Sequence, residues 1–339
     1  MKQLLFIILL ALIPAHLTAK NIVRVVSIGP LTPVVDLNKP PENIVDTMLN
    51  FWKYKIDEVL PYKPDLILLP EACDRPAGMS SDWAKEKKYY EVRKDRFLKY
   101  FSSVARENNT YVVYSYKRKL QDGTYRNSSV LIGRDGEVAG IYDKNYPTIN
   151  EIKRGIVPGS KAPVFQCDFG TVGMLICFDL NFEELREVYA KEKPDILLFS
   201  SRYHGGLMQK FWAHSIHTFF VSAVEGLPFL PSEIYDPLGE LLNSSNSHYL
   251  RFAFAEINLD SKLIHRDNNM DKMLALKKKY GDDVTIKDPG LLDVVLLSSN
   301  SDKVTVKDMI KEFDIETFQS YYDRSAEYRF EPGNMEENE

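Results

Sequence analysis

Three residues of this chain could together break an amide: Cys177, Glu71 and Lys144. Each closes a strand-like stretch of its own. Cys177 ends the apolar run TVGMLIC (171–177) and stands just before a helix-like stretch, DLNFEELREVYAKEK (179–193). Glu71 ends DLILLPE (65–71), and Lys144 ends GEVAGIYDK (136–144). A thiol attacks carbon as thiolate, and the partial positive charge at a helix start is expected to favour that form. Hydrolysing an amide or nitrile also needs a proton carrier and a group that stabilises developing negative charge. Cys177 would form a covalent thioester or thioimidate. Glu71 would take the thiol proton, pass it to the leaving nitrogen and then activate water. Lys144, with the backbone N–H after Cys177, would hold the oxyanion. A lone Cys at a strand end is commonly just a small buried hydrophobe. The acid, base and thiol at three strand exits carry the reading jointly.

The segments around them read as alternating helices and strands. IVRVVSIG (22–29) is a first strand, and residues 40–60 place Val45, Met48, Leu49, Trp52, Ile56 and Val59 on one helical face after a Pro-Pro start. A second amphipathic helix is expected over 88–107, with Phe97, Phe101 and Val104 spaced for burial. Strands follow, with Asp135-Gly136 marking a tight hairpin turn. KPDLILLPE (63–71) and KPDILLFSS (193–201) echo each other, each a helix end, Lys-Pro-Asp and a buried strand. Pro stops the helix, Asp holds the turn, and the far strand end is where open α/β sheets place ligands. A helix running into a strand is expected over 206–226, and the strand-rich part closes near Leu259. Residues 20–260 thus form one domain. Residues 261–339 form a charged, helix-leaning extension with one short strand (293–299) and a disordered tail (331–339).

Net charge of −5, with no Lys/Arg-rich stripe, gives no support to a nucleic-acid partner. Residues 1–19 read as a signal peptide: Lys2, an apolar run over 4–15 and cleavage after Ala19, implying export to the periplasm or beyond the cell. That run is shorter than the ~20 residues a membrane span needs, so no stable insertion is expected. Cys73, Cys167 and Cys177 are too few for a disulfide scaffold, though a Cys73–Cys177 bridge would silence the thiol. His204, His214 and His217 lack an acidic or Cys ligand at metal-site spacing, so no metal is expected.

Four segments together resemble the nitrilase, or carbon–nitrogen hydrolase, superfamily: LLPE (68–71), YDKNYPTINE (142–151), ICFDLNFEELRE (176–187) and YDPLGELL (235–242). The resemblance spans roughly residues 21–260. It implies an α/β fold, the four-layer α-β-β-α sandwich of the nitrilase type, here with a C-terminal extension. It also implies a Glu71-Lys144-Cys177 triad supported by Glu151, homodimers paired through helices beside the Cys, and no cofactor. Asp179 and Asn181 are expected to cap the helix after the Cys, while Phe178, Phe182, Arg202, Tyr203 and Glu225 are candidates for the substrate pocket. Pro147-Thr148 between Lys144 and Glu151 is similar to the nitrile-hydrolysing branch. Asp179, two after the Cys, is similar to amidase and carbamoylase branches instead. The helix 211–220 departs from the Arg-Ala-x-Glu-Asn pattern of many relatives. The expected activity is hydrolysis of a linear amide or N-carbamoyl compound. Nitrile hydrolysis, acyl transfer to an amine and a catalytically idle binding role are the alternatives.

Overall fold

In the computed structural model, which describes residues 20–79 and 82–331, short apolar runs become strands buried on both faces. The first half runs β1 (Ile22–Ser27), α1 (Pro41–Asp57), β2 (Leu66–Leu68), α2 (Trp83–Arg93), α3 (Arg96–Asn108), β3 (Tyr111–Lys119), β4 (Tyr125–Ile132) and β5 (Val138–Asp143). The second runs α4 (Ile149–Lys153), β6 (Val164–Gln166), β7 (Thr171–Ile176), α5 (Glu183–Glu192), β8 (Ile196–Ser201), α6 (Leu207–Ile216), β9 (Phe219–Val224), β10 (Glu233–Tyr235), β11 (Leu241–Ser244) and β12 (Ala253–Asn258).

Two six-stranded sheets result, ordered β12-β1-β2-β3-β4-β5 and β11-β10-β9-β8-β7-β6. In each, three central parallel strands are flanked by antiparallel ones. Side chains alternate across each strand. Leu66 and Leu68 of β2 and Ile196 and Leu198 of β8 meet in the core between the sheets. Ile67 faces outward onto Trp52 of α1 and Phe101 of α3. Leu197 and Phe199 face outward onto Tyr189 of α5 and Trp212 of α6. Helices, sheet, sheet and helices therefore make the expected four-layer α-β-β-α sandwich.

The echo between the halves has a physical basis. Lys63 and Lys193 are both left-handed (φ 48° and 49°), ending the preceding helical turn before each Pro. Asp65 then accepts from the Arg24 N–H at 2.9 Å and Asp195 from the Thr171 N–H at 2.8 Å. The helix expected over 88–107 is instead two helices. Lys94 takes φ 47°, and Arg93 at that break turns inward onto the buried Asp74 carboxylate.

Beyond β12 the chain continues as β13 (Ser261–His265), α7 (Met270–Tyr280), β14 (Val284–Lys287), β15 (Val294–Ser299), α8 (Val306–Glu312) and α9 (Phe318–Tyr328). Where one strand was expected there are three, in antiparallel order β13-β15-β14. They share a core of Ile264, Met273, Leu276, Leu297 and Met309 that is separate from those of the sandwich. The Asn258 side-chain amide donates to the Ser299 carbonyl at 2.6 Å, tying this layer to the end of β12. The expected leader (1–19) and all but the first residue of the expected tail lie outside the described residues.

Candidate active site

Strand register assembles the first half of the site. Glu71 emerges just beyond β2, before a left-handed residue, Ala72 (φ 46°). Lys117 on β3 lies opposite Asn127 on β4. Lys144 follows β5 and is fixed by its own N–H donating to the Asn127 carbonyl at 2.8 Å. The Lys144 ammonium donates to Glu71 Oε1 at 2.9 Å and to Glu151 Oε2 at 3.0 Å. Asn127 Nδ2 bridges the same two carboxylates, at 2.7 Å to Glu71 and 2.8 Å to Glu151. Glu151 also accepts from Lys117 Nζ and, at 2.9 Å, from the Thr148 N–H, as part of a capping box that starts α4.

The other sheet brings the thiol. Cys177 directly follows β7 with φ 51°, a conformation that costs a non-glycine residue about 1–3 kcal/mol and points to a functional turn. With Glu71, Lys144 and Glu151 it lines one cavity of about 310 Å³. The Ser200 hydroxyl donates to the Leu69 carbonyl at 2.8 Å, clamping the two sheets together beside it.

The charges interlock. Burial works against ionisation of Glu71, yet the Lys144 ammonium, helped by Lys117, holds its pKa below the usual carboxylate range. Burial likewise opposes the charge of Glu151, and Lys117 and Lys144 pull it far below. Against burial, the Glu71 and Glu151 carboxylates hold Lys144 well above the ordinary lysine range. Cys177 goes the other way: burial first, then the Glu71 charge, push the thiol up to about 12 despite Lys144. The resting site is therefore thiol, carboxylate and ammonium. Burial and the Glu71 charge oppose the thiolate expected from a helix start, and a tight turn (Cys177–Asn181) separates the sulfur from α5, which begins only at Glu183.

Of the pocket candidates, Arg202 lines the cavity, and Glu225 stands behind it, 2.8 Å from its guanidinium. Phe178, Phe182 and Tyr203 are not in the cavity wall. Phe182 stacks on Tyr146 with ring centres 3.7 Å apart, Phe178 meets Phe182 edge-on, and the Tyr203 hydroxyl donates to Asn181 at 3.1 Å. Neither Asp179 nor Asn181 caps α5, whose N-cap is Phe182. Asp179 instead accepts from the Ile176 N–H (2.9 Å), the Tyr146 N–H (2.8 Å) and the Tyr142 hydroxyl (2.7 Å), joining the turn of Cys177 to the segment around Lys144. Cys73, Cys167 and Cys177 are all free thiols, so no bridge silences the site. His204 pairs with Glu233 and His214 with the Leu238 carbonyl, while His217 packs on Phe318. Lys117, Asn127, Arg75, Glu86 and Arg154 border the site without having been expected; only the pairing of β3 with β4 could have shown the first two.

A family model described as carbon–nitrogen hydrolase matches residues 39–261, ending where β13 begins. Over 108 residues the chain is 28% identical to a probable nitrilase of Schizosaccharomyces pombe, a match covering 31% of this chain and 39% of that protein. Over 208 residues it is 23% identical to an omega-amidase of Mus musculus, covering 54% of this chain and 73% of that one. Among solved structures, Nit3 of Saccharomyces cerevisiae, a member of branch 10 of the nitrilase superfamily, superposes with a TM-score of 0.58 at 18% identity, covering 70% of this chain and 90% of that one. A glutamate-to-glutamine variant of the amidase from Nesterenkonia sp. AN1, with the acetamide moiety of fluoroacetamide added covalently at its active-site cysteine, gives a TM-score of 0.60 at 17% identity, covering 77% and 97%. Because that family model takes in well over half of the sequence, the chain belongs to the carbon–nitrogen hydrolase family.

Proposed function

We propose that the protein hydrolyses a linear amide or N-carbamoyl compound through a thioester on Cys177, with Glu71 as the travelling base and Lys144 as the oxyanion partner. One observation carries this: a buried ammonium held between two carboxylates shares a cavity with a thiol on a strained turn. Glu71 is ionised while Cys177 is neutral, so the carboxylate can take the thiol proton as sulfur bonds to carbon. The same proton then goes to the departing nitrogen, and Glu71 next draws one from the water that cleaves the thioester. Lys144, pinned at 2.9 Å and 3.0 Å, presents fixed positive charge to the tetrahedral oxyanion. Glu151 positions Lys144; its two oxygens already accept from Lys144, Lys117, Asn127 and the Thr148 N–H, which leaves it little part in proton transfer.

The test is ammonia release from a panel of amides, N-carbamoyl compounds and nitriles. Cys177→Ser is expected to keep the fold and lose about a thousandfold or more in kcat, since a hydroxyl lacks the thiol's acidity. Ordinary turnover in that variant would remove Cys177 from the chemistry.

Two further parts of this reading concern the whole chain. Lys2, the apolar run and Ala19 support export with a mature start at Lys20. Exposed Leu207 and Phe211 on α6 and Val188 on α5, beside the Cys177 turn, support pairing of two copies through these helices.

A further inference from the structure

The site holds a second buried ammonium that the triad does not use. Lys117, in the middle of β3, is 5% exposed and lines the same cavity as Glu71, Lys144 and Cys177. Its Nζ donates to Glu151 Oε1, the oxygen of Glu151 that Lys144 does not take. Asn127, opposite Lys117 in the register, holds the same Oε1 at 2.8 Å and Glu71 Oε1 at 2.7 Å. The strand is itself pinned: the Arg93 guanidinium donates to the Lys117 carbonyl at 2.9 Å and pairs with the buried Asp74 carboxylate. The two carboxylates thus meet on one ammonium, Lys144, and one amide, Asn127, and only with Lys117 do the charges of the cluster balance. Neighbouring charges are committed elsewhere. Arg75 holds Glu86 at 2.7 Å and Arg202 holds Glu225 at 2.8 Å, while Arg154 lies 3.8 Å from Glu86. Among the described residues none of these guanidinium groups hydrogen-bonds Glu71 or Glu151. Cys177, the remaining titratable group of the cavity, is a neutral thiol.

Resting on the reading given under Proposed function, we propose that Lys117 is a positioning residue of this reaction: by giving Glu151 a cation of its own, it leaves the Lys144 charge to Glu71 and the oxyanion and lets both carboxylates be charged at once. Two carboxylates on shared donors repel, and beside a single cation one of them is raised until it keeps a proton. A proton kept on Glu71 would stop it from receiving that of Cys177. The local influences agree with this division of labour. Burial opposes the charge of Glu151, and Lys117 is the strongest influence against burial, ahead of Lys144. At Glu71 burial and Glu151 oppose ionisation, while Lys144 and then Lys117 favour it. Lys117 is lowered by its own burial, and Glu151 and Glu71 act to keep its charge.

The experiment titrates the glutamate carboxyls by NMR in the purified full chain carrying carbon-13 at those carbons, with the Glu71 and Glu151 signals assigned from their Gln variants. In the parent neither is expected to titrate between about pH 5 and 8, since both are held low. In Lys117→Met the pair should take up one proton within that window, whereas Lys117→Arg, which keeps the charge, should behave as the parent. Two carboxyls that stay charged across the window in Lys117→Met overturn the proposal. For any amide that is turned over, the acid limb of kcat/KM should move up by about one pH unit or more in Lys117→Met and stay in place in Lys117→Arg. A loss of kcat/KM that is equal at every pH also overturns it, since that marks structural support alone. If no amide is hydrolysed, it is the thioester reading that fails, and the NMR titration decides the charge balance separately. Should Lys117→Met not fold, combining it with Glu151→Gln removes the charge of both members of the buried pair. A folded double variant is then the expected result, and one as unfolded as Lys117→Met alone overturns the proposal.

Discussion

At the scale of single residues, the proposed mechanism draws its reactivity from a proton relay instead of a stored thiolate. Burial raises Cys177 to about 12, so the thiol is protonated near neutral pH, and in the proposed reaction Glu71 receives its proton. Iodoacetamide alkylation of the free enzyme at Cys177, followed by peptide mass spectrometry, is therefore expected to speed up continuously past pH 9. A plateau already reached at about pH 7 would show a stored thiolate, and the helix-start expectation would regain its place. Glu71, Lys144 and Cys177, which line one cavity, could be singled out in the sequence because each terminates its own strand-like stretch. Lys117 and Asn127 could not, because they lie in the middle of strands and meet only through the antiparallel register of β3 and β4. Nor did spacing reveal Arg75 and Glu86, a pair formed between a loop and the first turn of α2.

At the scale of elements, the two strand exits that matter belong to different sheets, and Asp179 is the pin between them. Read from sequence it resembles a helix cap, since an Asp before a helical run usually is one. The intervening tight turn redirects it inward, onto the Ile176 and Tyr146 N–H groups and the Tyr142 hydroxyl. Asp179→Ala leaves those three donors without their acceptor and is expected to lose about 2–5 kcal/mol in urea unfolding. Stability within about 0.5 kcal/mol of the parent would deny Asp179 that role. The pH dependence has a definite sign. Burial raises Asp179 to about 6, above its ordinary 3.8, so its contribution is complete below the lower value and declines as pH rises through the higher. Glu71 and Glu151, both held low, contribute oppositely: their stabilisation is present above the ordinary glutamate range and is lost as pH falls through their folded values. The helix 88–107 misled for a related reason. Apolar spacing continues through Lys94, but the inward pull of Asp74 on Arg93 breaks the backbone there.

At the scale of the molecule, two similar half-sandwiches each contribute part of the site, and the layer formed by β13, β14 and β15 closes against their edge. The fold class was legible because strand-helix alternation and doubly buried runs leave few layer arrangements. The small sheet was not: β13 and β14 are four or five residues long and set among charges, so helix-leaning composition outweighs their period-two pattern. Native mass spectrometry of protein expressed with residues 1–19 included tests both whole-chain proposals at once. The subunit is expected to begin at Lys20 and to travel as a dimer, whereas a subunit retaining Met1 would contradict export and a stable monomer would contradict pairing.

The most direct test of the thioester is to quench the enzyme with acid during its first turnovers of an amide and map added mass by peptide. An acyl group on the peptide holding Cys177, discharged by hydroxylamine, is the predicted result. Steady ammonia release with Cys177 unmodified, or with the acyl group on Cys73 or Cys167, would contradict it.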